Sequence, residues 1–324
     1  MSKSQPFLLL ASSLTLLGCS QVGSNSSSSI EAPTGSEIEK EVVTAHYAKA
    51  IEAMNDAKAI GVALSGEAKV NGSVESYLTQ SGENNTYSQT IKAEISDLNA
   101  SFAMKLDGED AKMSAKASAK YAYESSAIGA LFDSEPNVSY SGDASAAIYY
   151  DEKTLYADLT GLSSVFSIFS TSPELDNLKL KQAVSSPSFD WEFVDEALED
   201  FSEISDASDF IQAKDGTYSF VYSIDPNALS DSSSETYPIN MNWEGNIKAW
   251  LSFTDDGFSE AGFTANFAQQ ESSSGDEGWG TISGHTNKTD VSANLKASFS
   301  YGDKVKVEEV SDPDSYVDPS SKTN

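Results

Sequence analysis

Most of this chain alternates apolar and polar residues with a period of two, the pattern of β-strands that bury one face. The alternation is clearest over 98–106 and 111–123, which flank the turn-forming run 107–110. This pair predicts a long antiparallel hairpin with one face in water. The same alternation predicts further strands over 62–70, 87–95, 140–150, 154–160, 218–224, 241–253, 261–267, 279–284 and 291–301.

Helical spacing replaces this alternation near the start of the chain. Ser36 and Glu39 have the spacing of a capping box, in which each side chain bonds a free amide of the first turn. Apolar residues then recur every three or four positions, at Val43, Tyr47, Ala50, Ile51 and Met54. We therefore expect a helix that begins near residue 36 and ends near residue 59.

A helical insert is predicted between the two blocks of strands. Residues 162–169 carry no charge and place apolar side chains at helical spacing, and a second helical pattern covers 191–201. We expect the insert to span 161–205, with an apolar stripe that either packs as a core helix or lies over the sheet.

The predicted fold class is mainly β with helices (α+β). About eleven antiparallel strands, each about 30 Å long, would expose about 1,500 Å² on one face. The predicted helices would cover only about 800 Å² of it. We therefore expect one large curved antiparallel sheet or half-barrel, with the N-terminal helix and with the helical insert as a plug or lid.

The first residues have the pattern of a lipoprotein signal. Lys3 precedes an apolar run from Phe7 to Leu17, which is too short to cross a bilayer and suits the core of a signal peptide. The run ends in Leu16-Leu17-Gly18-Cys19, which resembles the lipobox of bacterial lipoproteins. This resemblance implies cleavage after Gly18 and a diacylglyceryl group on Cys19. The alternative is an ordinary secretory signal, but Cys19 is the only cysteine of the chain and has no disulfide partner.

These features divide the chain into four parts. We expect a signal peptide over 1–18, the lipidated Cys19 and a flexible Ser/Gly-rich tether over 19–35, one domain over 36–310 and an acidic, loose tail over 311–324. The domain would lie on the extracytoplasmic side of the cell envelope. Its diacylglyceryl anchor would hold it on the outer face of the cytoplasmic membrane or on the outer membrane.

The charge of the chain excludes one class of partner. Fifty acidic residues face twenty basic ones, all of them lysine, and the net charge is −30. Such a field repels nucleic acid, so we predict no nucleic-acid partner. Without arginine the chain also lacks the bidentate groups that usually bind phosphate or carboxylate.

The residues with catalytic or metal-binding chemistry are few. His46 and His285 are the only histidines, so a histidine-rich metal site is excluded. We expect His46 to face solvent on the first helix and His285 to lie in a turn, and neither is accompanied by a nucleophile motif. Acidic pairs such as Asp255-Asp256 are typical of hairpin turns. The sequence therefore predicts no enzyme activity, no cofactor and no metal.

The order of elements over 36 to about 310 resembles that of the lipoprotein carriers of the LolA and LolB type and of the mycobacterial lipoproteins of the LppX and LprG type. In those families a curved half-barrel is lidded by helices inserted between its strand blocks, and its cavity holds acyl chains. The resemblance implies a lipid-binding fold. The family's carriers of lipoproteins use an arginine in the cavity, which this chain lacks.

We therefore predict a membrane-anchored extracytoplasmic lipoprotein that binds a hydrophobic ligand, a lipid or an acyl chain, in the concave face of its sheet. The alternative is a surface or structural lipoprotein that acts through protein contacts. The residues expected to form the groove or its lid are Leu162, Val165, Phe166 and Phe169 of the insert and Phe102, Met104 and Met113 of the hairpin.

Overall fold

The computed structural model describes residues 30–80, 83–107, 110–129, 137–151, 153–169, 178–184, 208–224, 240–278 and 281–319. Several predicted features lie outside these ranges: the signal segment with Cys19, most of the tether, the helix predicted over 191–201 and the last five residues of the chain.

One antiparallel sheet of twelve strands makes up most of the described chain. The strands follow one another in space as β1-β8-β9-β10-β11-β12-β2-β3-β4-β5-β6-β7, so that β1 and β7 are the two edges and the sheet is not closed. The elements are β1 (Ser36–Glu37), α1 (Lys40–Asp56), β2 (Ala59–Gln80), β3 (Glu83–Asp107), β4 (Asp110–Gly129), β5 (Val138–Asp151), β6 (Thr154–Asp158), α2 (Ser163–Phe169), β7 (Lys179–Ala183), β8 (Ser208–Gln212), β9 (Tyr218–Ile224), β10 (Asn240–Thr254), β11 (Gly257–Gly278) and β12 (Thr281–Tyr301).

The predicted mainly-β class is confirmed, but several strand boundaries were wrong. The strands predicted over 87–95 and 98–106 are one strand, β3, with a β-bulge between Ser96 and Asn99. Asp97 at this bulge has φ 51°, a left-handed conformation that aspartate tolerates better than most residues. The extra residue shifts the alternation by one position, which is why the pattern looked like two strands.

Two other segments also differ from the prediction. The strands predicted over 279–284 and 291–301 are, in their described part, one strand, β12 (Thr281–Tyr301), whose alternation is carried through by polar residues. The insert predicted to be helical contains a strand, β7, which pairs with β6 and extends the first block of strands. Of this insert the structure describes one helix, α2, which covers 163–169 as expected.

The two faces of the sheet differ in chemistry, and the register determines which residue lies on which face. We call the side that carries Val62, Phe102 and Phe263 the apolar face and the opposite side the polar face. The lysines of the long strands lie on the polar face, where Lys69 pairs with Glu94 at 3.0 Å and Lys120 with Asp97 at 2.6 Å. The pattern of period two predicted this division correctly.

Helix α1 packs on the apolar face over β9, β10 and β11. Its buried residues are the five that the sequence indicated: Val43, Tyr47, Ala50, Ile51 and Met54. They pack against Phe220 and Phe253, both of them buried. The predicted capping box is not formed, because Ser36 pairs with β8 as part of β1 and the helix begins at Lys40 without a side-chain cap.

The C-terminal segment, residues 302–319, is ordered on the polar face, so the loose tail predicted from 311 was wrong for its described part. The backbone amide of Glu308 donates to Ser114 Oγ at 3.0 Å, and the Glu308 carboxylate pairs with Lys116. Val317 then forms a parallel bridge with Leu180 on the edge strand β7. Ala117 on the apolar face is exposed, whereas Lys116 beside it on the polar face is half-buried under this segment.

Candidate functional site

The apolar face carries almost no charge, although the chain has a net charge of −30. Among the described strand side chains from β2 to β12, the register assigns only two aspartate, glutamate, lysine or histidine residues to this face, Glu271 and His285. Both lie near the end of the sheet that is farthest from α1. The rest of the face is built of alanine, aliphatic, aromatic and small polar residues, so it is the part of the molecule suited to an apolar ligand.

Helix α1 is too small to cover this face. A helix of 17 residues is about 26 Å long and 10 Å wide. From β9 to β7 the sheet has ten neighbouring strands, which span about 43 Å at 4.8 Å per step. The strands are also long, with 22 residues in β2 and 25 in β3. Within the described part of the chain, some of the face beyond α1 remains accessible.

The accessible part lies over β2, β3, β4 and β5. Four large apolar side chains of the apolar face are more than a third exposed there: Val70 at 38%, Ile95 at 46%, Tyr140 at 39% and Ile148 at 37%. Val70 and Tyr140 lie in one register row and Ile95 lies in the neighbouring row, and we call these three the exposed cluster. Ile148 is eight strand positions from Tyr140 on β5, about 26 Å away. Single exposed apolar residues are ordinary, but three of them in neighbouring rows of a face without charge require an explanation.

Aromatic rings and small residues shape the floor around the exposed cluster. Tyr123 stacks on Tyr140 across β4 and β5, with ring centres 6.5 Å apart. The ring of Tyr121 lies over Gly142, where an added Cβ would come within 3.0 Å of the phenol oxygen. Next to these rings, a register row of small and apolar residues crosses the sheet, comprising Ala261, Ala297, Leu64, Ala100, Ala117 and Ala146.

Three of the predicted ligand-binding residues lie together on the apolar face. Met104 of β3 is directly opposite Met113 of β4, and Phe102 is directly opposite Ala115 in the neighbouring row. Met104 is buried, whereas Phe102 and Met113 are half-buried. These residues thus form the floor near the turn between β3 and β4.

The predicted lid is not brought next to this floor. Gly161, just before α2, lies against Ser145 of β5, and the Ser164 hydroxyl donates to the backbone oxygen of Asp143 at 3.1 Å. Ser145 is five strand positions from Tyr150, which is opposite Met113, so about 17 Å separates the two places along the strand. Leu162, Val165 and Phe166 are half-buried, and the Phe169 side chain lies outside the described ones.

His285, expected in a turn, lies within β12 on the apolar face. Its Nδ1 is 2.9 Å from Ser273 Oγ, and its Nε2 is 3.6 Å from Glu271 Oε1. We call these three residues the polar cluster. They include the residue types of a catalytic triad, but backbone amides in the middle of an antiparallel sheet are already bonded to neighbouring strands. In the described strands, the ladder amides beside Ser273 are therefore not available as oxyanion donors.

His46, expected to face solvent, instead contacts the sheet and holds α1 against it. Its ring stacks on Tyr218 at 3.9 Å, and its Nδ1 contacts the Asp255 carboxylate in the turn between β10 and β11. Lys49 reaches the same carboxylate at 2.9 Å. The bonds from His46 and then Lys49 hold the pKa of Asp255 below its usual value. The role of this cluster is structural, because it fixes the position of α1.

Sequence reasoning missed the exposed cluster. Val70, Ile95 and Tyr140 lie within predicted strands, and nothing in their local pattern distinguishes them from the buried Val62. The sequence pointed to such a cluster in one way only. The predicted helices were too small for the predicted sheet, which meant that part of one face would stay uncovered.

The described residues contain neither a group of three potential metal ligands nor a helix long and apolar enough to cross a membrane. No protein-family model and no curated protein matches the chain. A solved structure of Pseudomonas aeruginosa OccK7 (OpdD) aligns with 74% of this chain and 98% of its own, at 8% identity and a TM-score of 0.20. The Acinetobacter baumannii outer membrane protein Omp33 aligns with 72% of this chain and 98% of its own, at 8% identity and a TM-score of 0.09. Likenesses this weak carry no argument about fold or function.

Proposed function

We propose that this chain is a membrane-anchored extracytoplasmic lipoprotein that holds a hydrophobic ligand, a lipid or an acyl chain, against its apolar face. The observation that carries the proposal is the exposed cluster on a face that is nearly free of charge in a strongly acidic protein. The anchor would be a diacylglyceryl group on Cys19. The protein would therefore lie in the cell envelope, facing the extracytoplasmic side.

The proposal includes a curved sheet. Adjacent strands in a sheet are rotated by about 20–25° on average, and open sheets of many strands tend to curl. Curling toward the apolar face would bring β2–β5 nearer to β9–β11 and form a half-barrel with α1 as a plug at one corner. A ligand would then be contacted from more than one side. This arrangement would reduce the exposure of the apolar side chains that α1 leaves uncovered.

The expected affinity follows from the size of an acyl chain. Each buried methylene contributes about 0.8 kcal/mol, so a chain of about twelve carbons contributes about 9 kcal/mol. Association costs at least about 4 kcal/mol, and burial of protein apolar surface offsets part of that cost. The net gain of about 5–8 kcal/mol corresponds to dissociation constants between about 0.2 mM and about 1 μM.

A fluorescent fatty-acid analogue tests the proposal with the chain from residue 21 onward, which retains every described residue. Ile95→Glu places a charge in the exposed cluster and should weaken binding at least about tenfold, because the buried carboxylate would lose its water. Ile128→Glu is the matched control. Ile128 is also apolar and is 76% exposed, but the register assigns it to the polar face. This control should bind the analogue as tightly as the wild type.

Two results would contradict the proposal. One is folded protein that neither binds the analogue nor carries lipid through purification. The other is equal loss of binding in the two variants. Either result would favour a structural lipoprotein that acts through protein contacts. The anchor is tested separately, since mass spectrometry of membrane-extracted protein should find Cys19 at the mature N-terminus with its lipid, and unmodified Cys19 would rule the anchor out.

A further inference from the structure

The apolar face changes its chemistry along the strands. Near α1 its rows are aliphatic and aromatic as far as the row of Phe267, Val291 and Val70. Beyond that row the side chains become mostly polar. Among the described side chains of β11, β12, β2, β3 and β4, the register rows at this end comprise Gln269, Thr289, Gly72, Ile91 and Ser125, then Glu271, Asn287, Val74, Gln89 and Ala127, then Ser273, His285, Ser76 and Tyr87. The backbone of β10 crosses two of these rows, with Trp243 opposite Gln269 and Met241 opposite Glu271. The face is therefore amphipathic along its length, with an apolar part and a polar end.

The polar cluster lies at this polar end. The side chain of Glu271 is 21% exposed and that of His285 is 42% exposed, so both can be reached by a ligand. Within the described strands from β2 to β12 no lysine lies on this face, since Lys69, Lys92 and Lys288 all point to the other side. Glu271 therefore gives the polar end a carboxylate that contacts the His285 imidazole at 3.6 Å and that no lysine of the described part of this face offsets.

We propose that the polar end binds the head of an amphiphilic ligand and that this head carries an ammonium group, with Glu271 as its counter-charge. This inference rests on the proposed function, because it takes the tail of the same ligand to lie on the apolar part. Glu271 is four residues from Phe267 in β11, about 13 Å along the strand. One row, that of Gln269 and Thr289, separates a head at Glu271 from the first apolar row, where the tail begins.

In this arrangement the charge of the ligand's headgroup determines how tightly the ligand binds. An ammonium group about 5 Å from a carboxylate at the protein surface is attracted strongly enough to tighten binding about tenfold, whereas an anionic head at the same distance is repelled by a similar factor. The net charge of −30 adds to this repulsion. Anionic heads are usually held by arginine, which the chain lacks. The site should therefore favour a primary or quaternary ammonium over a carboxylate.

Three probes that share a twelve-carbon chain and differ in the charge of the head test this inference: dodecyltrimethylammonium, dodecyl maltoside and dodecanoate. Their dissociation constants are measured by calorimetry below their critical micelle concentrations. The chain from residue 21 should bind the cation most tightly and the carboxylate least tightly. Glu271→Gln should weaken binding of the cation about tenfold and leave binding of the maltoside unchanged. Glu75→Gln is the matched control. It removes the same charge near the same end of the sheet, but Glu75 lies on the polar face opposite Thr286.

The outcomes separate this inference from the proposed function. If the maltoside binds but the cation and the carboxylate bind equally well, the headgroup inference is wrong and the hydrophobic site stands. If Glu75→Gln weakens binding of the cation as much as Glu271→Gln, the selectivity comes from the overall field and the assignment to Glu271 is wrong. If no probe binds folded protein, the proposed function fails and the inference fails with it.

Discussion

Replacement of Tyr316 by alanine should release the C-terminal segment from the sheet. Tyr316 is 5% exposed, although the residues around it are mostly polar and it lies within eight positions of the chain's end. Its ring packs edge-on against Tyr156 at 5.3 Å, and the Lys179 ammonium lies 5.4 Å from its centre. The neighbouring Val317 exchanges two backbone hydrogen bonds with the edge strand β7, both of 3.0 Å. The ring therefore anchors a short stretch of added strand.

The size of the effect follows from these contacts. Truncation of a large buried aromatic side chain to alanine costs about 3–5 kcal/mol in a core. Tyr316 packs on one side of a sheet, so we take the lower end, about 3 kcal/mol. This total includes about 1 kcal/mol for the ring pair and somewhat less for the contact with Lys179. Because each 1.4 kcal/mol is a factor of ten, local opening should become about a hundredfold more frequent.

Amide hydrogen exchange measures this opening directly. The amides of Lys181 and Val317 donate the two bonds that join the segment to β7, and their protection should fall about a hundredfold in Tyr316→Ala. Tyr316→Phe keeps the ring and should change protection less than about tenfold. If protection in Tyr316→Ala stays within about twofold of the wild type, the segment does not depend on this ring and the reasoning is wrong.

The same residue predicts a loss of docking at high pH. Burial, followed by the nearby charges of Asp158, Tyr149 and Asp312, raises the pKa of Tyr316 to about 12. A group whose pKa is raised by folding contributes stability that is complete below its unfolded value, near 10, and lost as the pH rises through 12. Protection of the Val317 amide, corrected for intrinsic exchange, should therefore fall between about pH 10 and 12.

Two further predictions concern the sheet and its helix. Gly262→Ala should destabilise the fold by about 2 kcal/mol or more in urea unfolding, because an added Cβ would lie 2.0 Å from the Trp250 ring, whereas Gly72→Ala, with its nearest contact at 3.9 Å, should cost less than about 0.5 kcal/mol. Asp255, whose pKa is lowered chiefly by its bond from His46, contributes stability that is present above its unfolded pKa and lost as the pH falls through its folded pKa. Asp255→Asn should therefore remove part of the stability lost on acidification below about pH 4.

Either of these predictions can be contradicted by one measurement. Equal urea midpoints for the two glycine variants would mean that the Trp250 ring is free to move away from β11. Identical acid-unfolding curves for Asp255→Asn and the wild type would mean that the contact with α1 does not couple to stability.

The sequence by itself determined where α1 and most of the strands lie and how the sheet divides into two faces. Successive side chains of a strand point to opposite faces, so the spacing of residues along the chain predicts which of them share a face. Val62 and Phe102 lie on the apolar face and Lys69 lies on the polar face, as the alternation predicts. The same logic predicted all five buried residues of α1, because a helix repeats every 3.6 residues. The alternation also predicted that the lysines lie on the polar face, because the residues just before and just after a lysine in a strand point to the opposite face.

Only the tertiary structure decided which distant residues meet. The bulge at Asp97, which joins two predicted strands into β3, depends on pairing with β2 and β4 rather than on local preference. Glu271 and His285 come together because β11 pairs with β12 in one register. The acidic end of the chain looked like a loose tail because the partners that order it, Lys116 and β7, lie far away in the sequence. Contacts of this kind depend on the relative positions of whole strands, which no local periodicity encodes.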